Sequence, residues 1–221
     1  MPYASFELTG NPLIPSIVHI GDRSTPVWLQ NRWENGPYTR YVRANGCGHC
    51  CTAMACQLFG IQIDPHQEYE YCRSLWGIPK ELPDDKGQDH FMSLAGISKV
   101  LSSFQIPVQC YGVKETGPQA ATDRILLALS EHKFVIFASD PDDYPDNPFS
   151  NGYHWVMAVG YTPDGQILIA NSSEKAAQQG VQFVTREQIE RALFRESTVN
   201  MDLTWGELER LYDGCGYAVI G

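Results

Sequence analysis

The hydrophobic pattern of this chain changes its period near residue 133, and this change restricts the possible folds more than any other feature. Before that point, apolar residues recur with the spacing of amphipathic helices, whereas short segments rich in Val, Ile and aromatic residues indicate strands after it. We predict helices over Gly48–Phe59, Pro65–Trp76, His90–Phe104 and Pro118–His132. We predict strands over Phe134–Ala138, His154–Tyr161, Gln166–Ala170 and Tyr217–Ile220. Helices followed by antiparallel strands indicate an α+β fold.

Local signals mark several element ends. The sequence Pro163-Asp164-Gly165 favours a tight turn, which makes a hairpin of the two strands around it. Capping boxes, in which two side chains three positions apart satisfy the first free N–H groups of a helix, mark helix starts. They are expected at Asp64 with Gln67, Thr185 with Gln188, and Thr204 with Glu207.

The first 26 residues lack such a pattern. Prolines and glycines interrupt them at Pro2, Gly10, Pro12, Pro15, Gly21 and Pro26. Because both residue types break regular structure, we predict an irregular arm over residues 1–26. The rest of the chain, residues 27–221, has a length that suits one domain.

The charge balance limits the partners. The chain has 16 Lys and Arg against 26 Asp and Glu, a net charge of −10. That charge repels a phosphate backbone, so no nucleic acid partner is expected. No apolar run reaches the ~18 residues of a membrane span. A secretory signal is also not recognisable, so the predicted location is the cytoplasm, with export by another route as the alternative.

The seven cysteines favour a reduced state. They are Cys47, Cys50, Cys51, Cys56, Cys72, Cys110 and Cys215. An odd number with four members crowded into ten residues is a poor disulfide framework. We therefore expect free thiols.

Cys47 is the first candidate for chemistry. It stands at the predicted start of a helix, where free N–H groups and a partial positive charge favour the nucleophilic thiolate. Gly46 and Gly48 leave its sulfur uncrowded. The alternative is a small buried residue.

His154 and Asn171 lie at the two outer ends of the predicted hairpin, and therefore at the same end in space. An imidazole can exchange a proton with a thiol near neutral pH, and an amide oxygen can orient the ring. Taken singly, each could be an ordinary strand-end residue. Together with a helix-start cysteine they predict a catalytic triad.

Two longer segments carry a family resemblance. The first is WLQNRWENGPYTRYVRANGCGHCCTAMACQLFG and the second is HWVMAVGYTPDGQILIANSS. Their order and motifs, from Trp28 to Ser173, resemble papain-like cysteine peptidases, and within them the bacterial branch related to bacteriocin-processing (double-glycine) peptidases. The resemblance implies a papain-like fold, with a helical N-terminal lobe packed on an antiparallel sheet.

The resemblance also implies roles for four residues. Cys47 would be the nucleophile, His154 the general base and acid, and Asn171 the orienting residue. Gln30 would donate to the oxyanion together with the backbone N–H of Cys47. The reaction would be hydrolysis of a peptide amide bond, without a metal or organic cofactor.

Four positions depart from the pattern of the family. His49 replaces a proline after Gly-Cys-Gly, and Cys50 replaces the Thr or Ser that follows. Asn171 stands where this branch usually has Asp as the orienting residue, and Ser172 replaces the proline that follows it.

Other readings remain open. A metal site could draw on Cys47, His49, Cys50, Cys51, Cys56 and Cys72. The Cys47/Cys50 pair lacks the second pair that a closed zinc site needs, so no metal is predicted. The same triad could serve a peptidoglycan amidase or endopeptidase, or a γ-glutamyl transferase, and the fold could also be a non-catalytic peptide-binding module.

The segment from Ser139 to Tyr153 is rich in acidic residues and proline. Its aspartates are Asp140, Asp142, Asp143 and Asp146. The simplest interpretation is a stiff, solvated loop. The functional interpretation is an acidic rim near His154 that attracts a cationic substrate. The sequence leaves the oligomeric state open.

Overall fold

The structure is a computed structural model of the full chain. It describes residues 3–32, 42–43, 46–77, 93–113, 116–139, 147–173, 179–193 and 216–221. The helices and strands belong to the α+β class, as predicted. No helix in these ranges is both long enough and apolar enough to cross a membrane.

The N-terminal segment forms a small antiparallel sheet, not the irregular arm that the sequence predicts. Its strands are β1 (Ala4–Leu8), β2 (Ser16–Ile20) and β3 (Arg23–Val27), in the order β1-β2-β3. Pro12 and Pro15 lie in the loop between β1 and β2. Pro26 lies on an edge strand, where a missing N–H is tolerated. The prolines therefore lie in a loop and on an edge strand, where they do not prevent strand pairing.

The small sheet packs on the body of the protein. The Arg23 guanidinium lies over the ring of Phe59, 4.7 Å from its centroid. Val18 and Val27 are fully buried in the same core cluster as the first helix. This segment is thus part of the hydrophobic core.

Three helices follow the small sheet, namely α1 (Cys47–Leu58), α2 (Pro65–Leu75) and α3 (Leu94–Ser103). The predicted capping box at the start of α2 is confirmed, because the Asp64 side chain accepts from the N–H groups of His66 and Gln67, and the Gln67 side chain accepts from the Asp64 N–H. Every residue of α1 except Gln57 is buried. A helix buried on all sides lies in the centre of the fold.

The large sheet has six antiparallel strands. They are β4 (Val108–Gly112), β5 (Phe134–Ser139), β6 (His154–Tyr161), β7 (Ile167–Ala170), β8 (Val181–Val184) and β9 (Gly216–Ile220), in the order β4-β9-β5-β6-β7-β8. The β6–β7 hairpin is confirmed, and β6 has the bounds that the sequence predicts.

Helices cover both faces of the large sheet. Side chains of α1 and α3 share one core cluster with Trp155, Met157 and Val159 of β6. Side chains of α4 (Gly117–Ser130) and α5 (Arg186–Ala192) share another with the alternate residues Val156 and Ala158. Because both faces are covered, β6 is an almost continuous apolar run instead of an alternating one.

Two further predictions concern helix starts. The capping box of Thr185 with Gln188 is confirmed at the start of α5. The one expected at Thr204 with Glu207 lies outside the described residues.

Candidate active site

Cys47 is the first residue of α1, and a glycine makes this helix start possible. The Gly46 N–H donates to the carbonyl oxygen of Val42 at 2.9 Å. A Cβ atom on Gly46 would lie 2.2 Å from that same oxygen, so only glycine fits this approach. The Cys50 N–H then donates to the Gly46 oxygen at 2.8 Å and begins the helix. This local geometry sets the position of the Cys47 side chain.

The sulfur of Cys47 is buried. Three backbone N–H groups, those of Trp155, Gly48 and Cys47 itself, donate to it and favour the thiolate. Burial outweighs them and raises the pKa of the thiol from 9.0 to about 11. The N–H groups of the helix start therefore favour the thiolate, as predicted, but the loss of hydration on burial exceeds their effect. The thiol is neutral near pH 7.

His154 and Asn171 meet, as their positions on the hairpin predict. His154 Nε2 lies 2.8 Å from Asn171 Oδ1. The amide orientation is set by its other partners, since Asn171 Nδ2 donates to the Phe149 oxygen at 3.0 Å and to Gln182 Oε1 at 2.7 Å. Asn171 Oδ1 can only accept, so His154 Nε2 carries the proton and Nδ1 is left as the base.

The environment keeps the imidazole neutral. Only 3% of the His154 surface is exposed. Burial lowers its pKa from 6.5 to about 4, and the hydrogen bond that His154 donates to Asn171 only partly opposes this. Near neutral pH, His154 is thus an unprotonated base.

The geometry brings Cys47 to the start of β6. The N–H that reaches its sulfur belongs to Trp155, the residue directly after His154. The helix α1 packs directly against β6, and Met54 of α1 belongs to the same core cluster as Trp155 of β6. The nucleophile candidate and the base candidate therefore lie on two adjoining elements.

Gln30 is tied to the end of β7. Its N–H donates to the Ser172 oxygen at 3.1 Å, and the Ser172 hydroxyl donates to Gln30 Oε1 at 3.1 Å. With Oε1 held in this way, the amide group Nε2 is the free donor end, and its contact with the Arg43 oxygen is long at 3.4 Å. Gln30 therefore has an N–H group available for a stronger acceptor.

Ser172 and Gln182 are site residues that sequence reasoning missed. The Ser172 hydroxyl contacts both Gln30 and the thiol of Cys50, and so links the turn at Gln30 to α1. Gln182 lies on β8 and holds the Asn171 amide. The only signal for Ser172 was its departure from the family's proline, while Gln182 is recognisable only after strand pairing.

His49 has a buried partner. Its Nδ1 hydrogen-bonds Glu68 Oε2 of α2, and both side chains are 2% exposed. Burial raises the pKa of Glu68, while His49 opposes this rise. His49 thus binds α1 to α2, at the position where the family has a proline.

No group of three or more His, Cys, Asp or Glu side chains within the described ranges could hold a metal ion. The aspartates Asp140, Asp142, Asp143 and Asp146 lie outside those ranges, so the acidic rim stays a prediction.

Comparison with known proteins identifies the family. A search of the curated proteins found no match. The model of the Peptidase_C39 like family matches residues 25–197, which include Gln30, Cys47, His154 and Asn171. This match agrees with the resemblance of the two motif segments to papain-like cysteine peptidases, and the α+β architecture fits their fold. The chain therefore belongs to the Peptidase_C39 like family.

Proposed function

We propose that this protein is a cysteine peptidase that hydrolyses an amide bond of a peptide through Cys47, His154 and Asn171, with Gln30 as an oxyanion donor. The observation that carries the proposal is the hydrogen bond from His154 Nε2 to Asn171 Oδ1. It leaves Nδ1 as a proton acceptor on a strand that packs against the helix of Cys47.

The reaction starts from a neutral pair. His154 Nδ1 takes the proton of the Cys47 thiol while the sulfur attacks the substrate carbonyl carbon. The transfer is coupled to the attack because burial disfavours both a free thiolate and a free imidazolium. A tetrahedral intermediate forms, in which the former carbonyl oxygen carries the negative charge.

Two donors stabilise that oxygen, namely Gln30 Nε2 and the backbone N–H of Cys47. Ser172 holds Gln30 Oε1 and so turns the NH₂ end of the amide away from itself. Such a donor contributes about 3–4 kcal/mol to transition-state stabilisation.

The intermediate then collapses. The C–N bond breaks, His154 gives its proton to the leaving amine, and an acyl thioester remains on Cys47. His154 next removes a proton from water, which attacks the thioester. The carboxylic acid leaves, and the proton returns to the sulfur.

A peptide library, digested and read by mass spectrometry, tests the proposal. We expect cleavage by the unaltered protein, none by Cys47→Ala or His154→Gln, and a loss on the order of 10²–10³ in kcat for Gln30→Ala. Cys110→Ser is the matched control, because Cys110 is a free thiol on β4 outside the site. It should cleave normally.

The same panel separates the alternatives. Cleavage that persists in Cys47→Ala would overturn the assignment of the nucleophile. Peptide binding without cleavage would support a binding module of the same fold. Digestion of isolated peptidoglycan, but not of free peptides, would place the substrate in the cell wall.

A further inference from the structure

The first turn of α1 contains a second thiol that the proposed mechanism does not use. Cys50 follows Cys47 by three residues, and both thiols are free and buried. Residues three apart on a helix lie on the same face, about 5–6 Å apart at Cβ. A disulfide needs a Cβ separation of about 3.5–4.5 Å, so a small tightening of this turn would join the two sulfurs.

The position at the helix start allows that tightening. The first hydrogen bond of the helix is donated by Cys50, so the N–H groups of Cys47, Gly48 and His49 precede the repeating bonds. A 3₁₀ turn eclipses the side chains at positions i and i+3, and such turns are frequent at the N-terminus of α-helices. Of the two residues between the cysteines, Gly48 has no side chain that would resist it, and His49 keeps its place through its contact with Glu68 of α2.

Cys51 is the competing partner, and the helix disfavours it. It lies four residues after Cys47, where closure would strain the repeating bonds of α1 that begin at Cys50. Cys50 is also the thiol in contact with the Ser172 hydroxyl, which binds Gln30. Cys50 therefore belongs to the side-chain network of the candidate active site.

We propose that Cys47 and Cys50 form a reversible disulfide when a peroxide oxidises the protein, and that this disulfide removes and protects the nucleophile. The pairing stands on helix geometry alone, whereas the loss of activity rests on the proposed peptidase function.

The chemistry has two steps. At a pH high enough to ionise the Cys47 thiol, its thiolate attacks one oxygen of hydrogen peroxide and the O–O bond breaks. The hydroxide that leaves takes up the thiol proton, so a sulfenic acid and one water form. The Cys50 sulfur then attacks the Cys47 sulfur, and the hydroxyl group leaves with the Cys50 proton as a second water. The two thiols lose two electrons in total, and the peroxide gains them.

Differential alkylation tests the pairing without any substrate. The protein is treated with hydrogen peroxide, free thiols are blocked with N-ethylmaleimide, disulfides are reduced, and the newly released thiols are labelled with iodoacetamide. We expect the second label at Cys47 and Cys50 together, and an intact mass reduced by two hydrogen atoms. A second label at Cys47 with Cys51, or none at Cys47, would overturn the proposal.

Matched serine variants sharpen the result. In Cys50→Ser the sulfenic acid has no partner, so Cys47 should gain two or three oxygen atoms, which dithiothreitol does not remove. Cys51→Ser should behave like the unaltered protein. If Cys50→Ser still shows reversible loss of two hydrogen atoms at Cys47, the pairing is wrong.

Peptidase assays test whether the disulfide reversibly switches off the activity. Dithiothreitol should restore most of the activity of the oxidised protein, and little of that of oxidised Cys50→Ser. If the disulfide forms but the reduced protein cleaves no peptide, the proposed function fails and the disulfide stands. If cleavage occurs but oxidation is irreversible, the disulfide fails and the function stands.

Discussion

His154 and Asn171 share a buried hydrogen bond, 2.8 Å from Nε2 to Oδ1, which leaves the other ring nitrogen, Nδ1, as the proton acceptor. Asn171 Oδ1 also accepts from the Ser173 N–H at 2.8 Å, and its amide nitrogen donates to Phe149 and Gln182. One side chain therefore holds the imidazole of His154 and connects the loop at Phe149, the Gln182 side chain of β8 and the backbone at Ser173. Its removal should affect both turnover and stability.

Asn171→Ala should reduce kcat/KM on the order of 10², because a loosely held ring is misplaced for proton transfer. It should also lower the free energy of unfolding by about 1–3 kcal/mol, since buried groups lose their partners. Asn171→Asp keeps the acceptor and adds a negative charge, which raises the pKa of His154. The acid limb of kcat/KM should then move to higher pH. An unchanged profile would show that Asn171 does not act through His154.

The neutral state of Cys47 predicts the pH dependence of alkylation. Its pKa of about 11 means that iodoacetamide labelling of Cys47, followed by mass spectrometry, should rise about tenfold for each pH unit from neutral pH toward 10. A plateau reached already at mildly acidic pH would instead indicate a thiolate–imidazolium pair and contradict this prediction.

The buried imidazole should also make stability depend on pH. His154 binds a proton near pH 6.5 when unfolded and near pH 4 when folded, so the unfolded chain holds more protons between these values. Its contribution to the free energy of unfolding should therefore fall by about 3 kcal/mol as pH decreases through that window. The difference in the free energy of unfolding between the unaltered protein and His154→Gln, measured by urea unfolding at each pH, isolates the contribution of His154.

The pair formed by His49 and Glu68 should stabilise the contact between α1 and α2. Glu68→Ala leaves a buried imidazole without this partner, and we expect a loss of about 3–5 kcal/mol in the free energy of unfolding. Glu131→Gln is the control, because Glu131 forms an exposed ion pair with Lys133 and should cost less than about 1 kcal/mol. If urea unfolding shows equal losses in the free energy of unfolding for Glu68→Ala and Glu131→Gln, burial does not strengthen the pair formed by His49 and Glu68.

Gly180 tests the packing of the N-terminal sheet. It has φ +68°, and an added Cβ would lie 2.9 Å from Val27 Cγ1 of β3. Gly180→Ala should cost about 2–4 kcal/mol, from backbone strain and overpacking together. Gly165→Ala, at φ +83° with nothing within 4 Å, should show only the strain of about 1–2 kcal/mol. Similar losses for both would indicate that β3 does not pack there in solution.

Much of this protein could be predicted because the relevant signals are local. The capping box of Asp64 needs only four consecutive residues, and the bounds of β6 follow from its own apolar run. The meeting of His154 with Asn171 required one further step, a turn that returns the chain to the same end of a hairpin.

The N-terminal sheet could not be predicted in this way. Pro12, Pro15 and Pro26 are local evidence against regular structure, but their effect depends on where the strands pair. Two of them lie in a loop, and the third lies on an edge strand. Strand pairing and the core that covers Val27 are set by residues distant in sequence.

By itself, the sequence determined four helices and four strands of the large sheet, the family, and the residue types available for chemistry, because hydrophobic period, caps and short motifs operate over a few neighbouring residues. The tertiary structure alone decided that Cys47 is a neutral thiol, that Ser172 holds Gln30, and that Asn171 binds three segments. Hydration and long-range hydrogen bonds depend on which distant residues surround a group. That information exists only once the chain has packed.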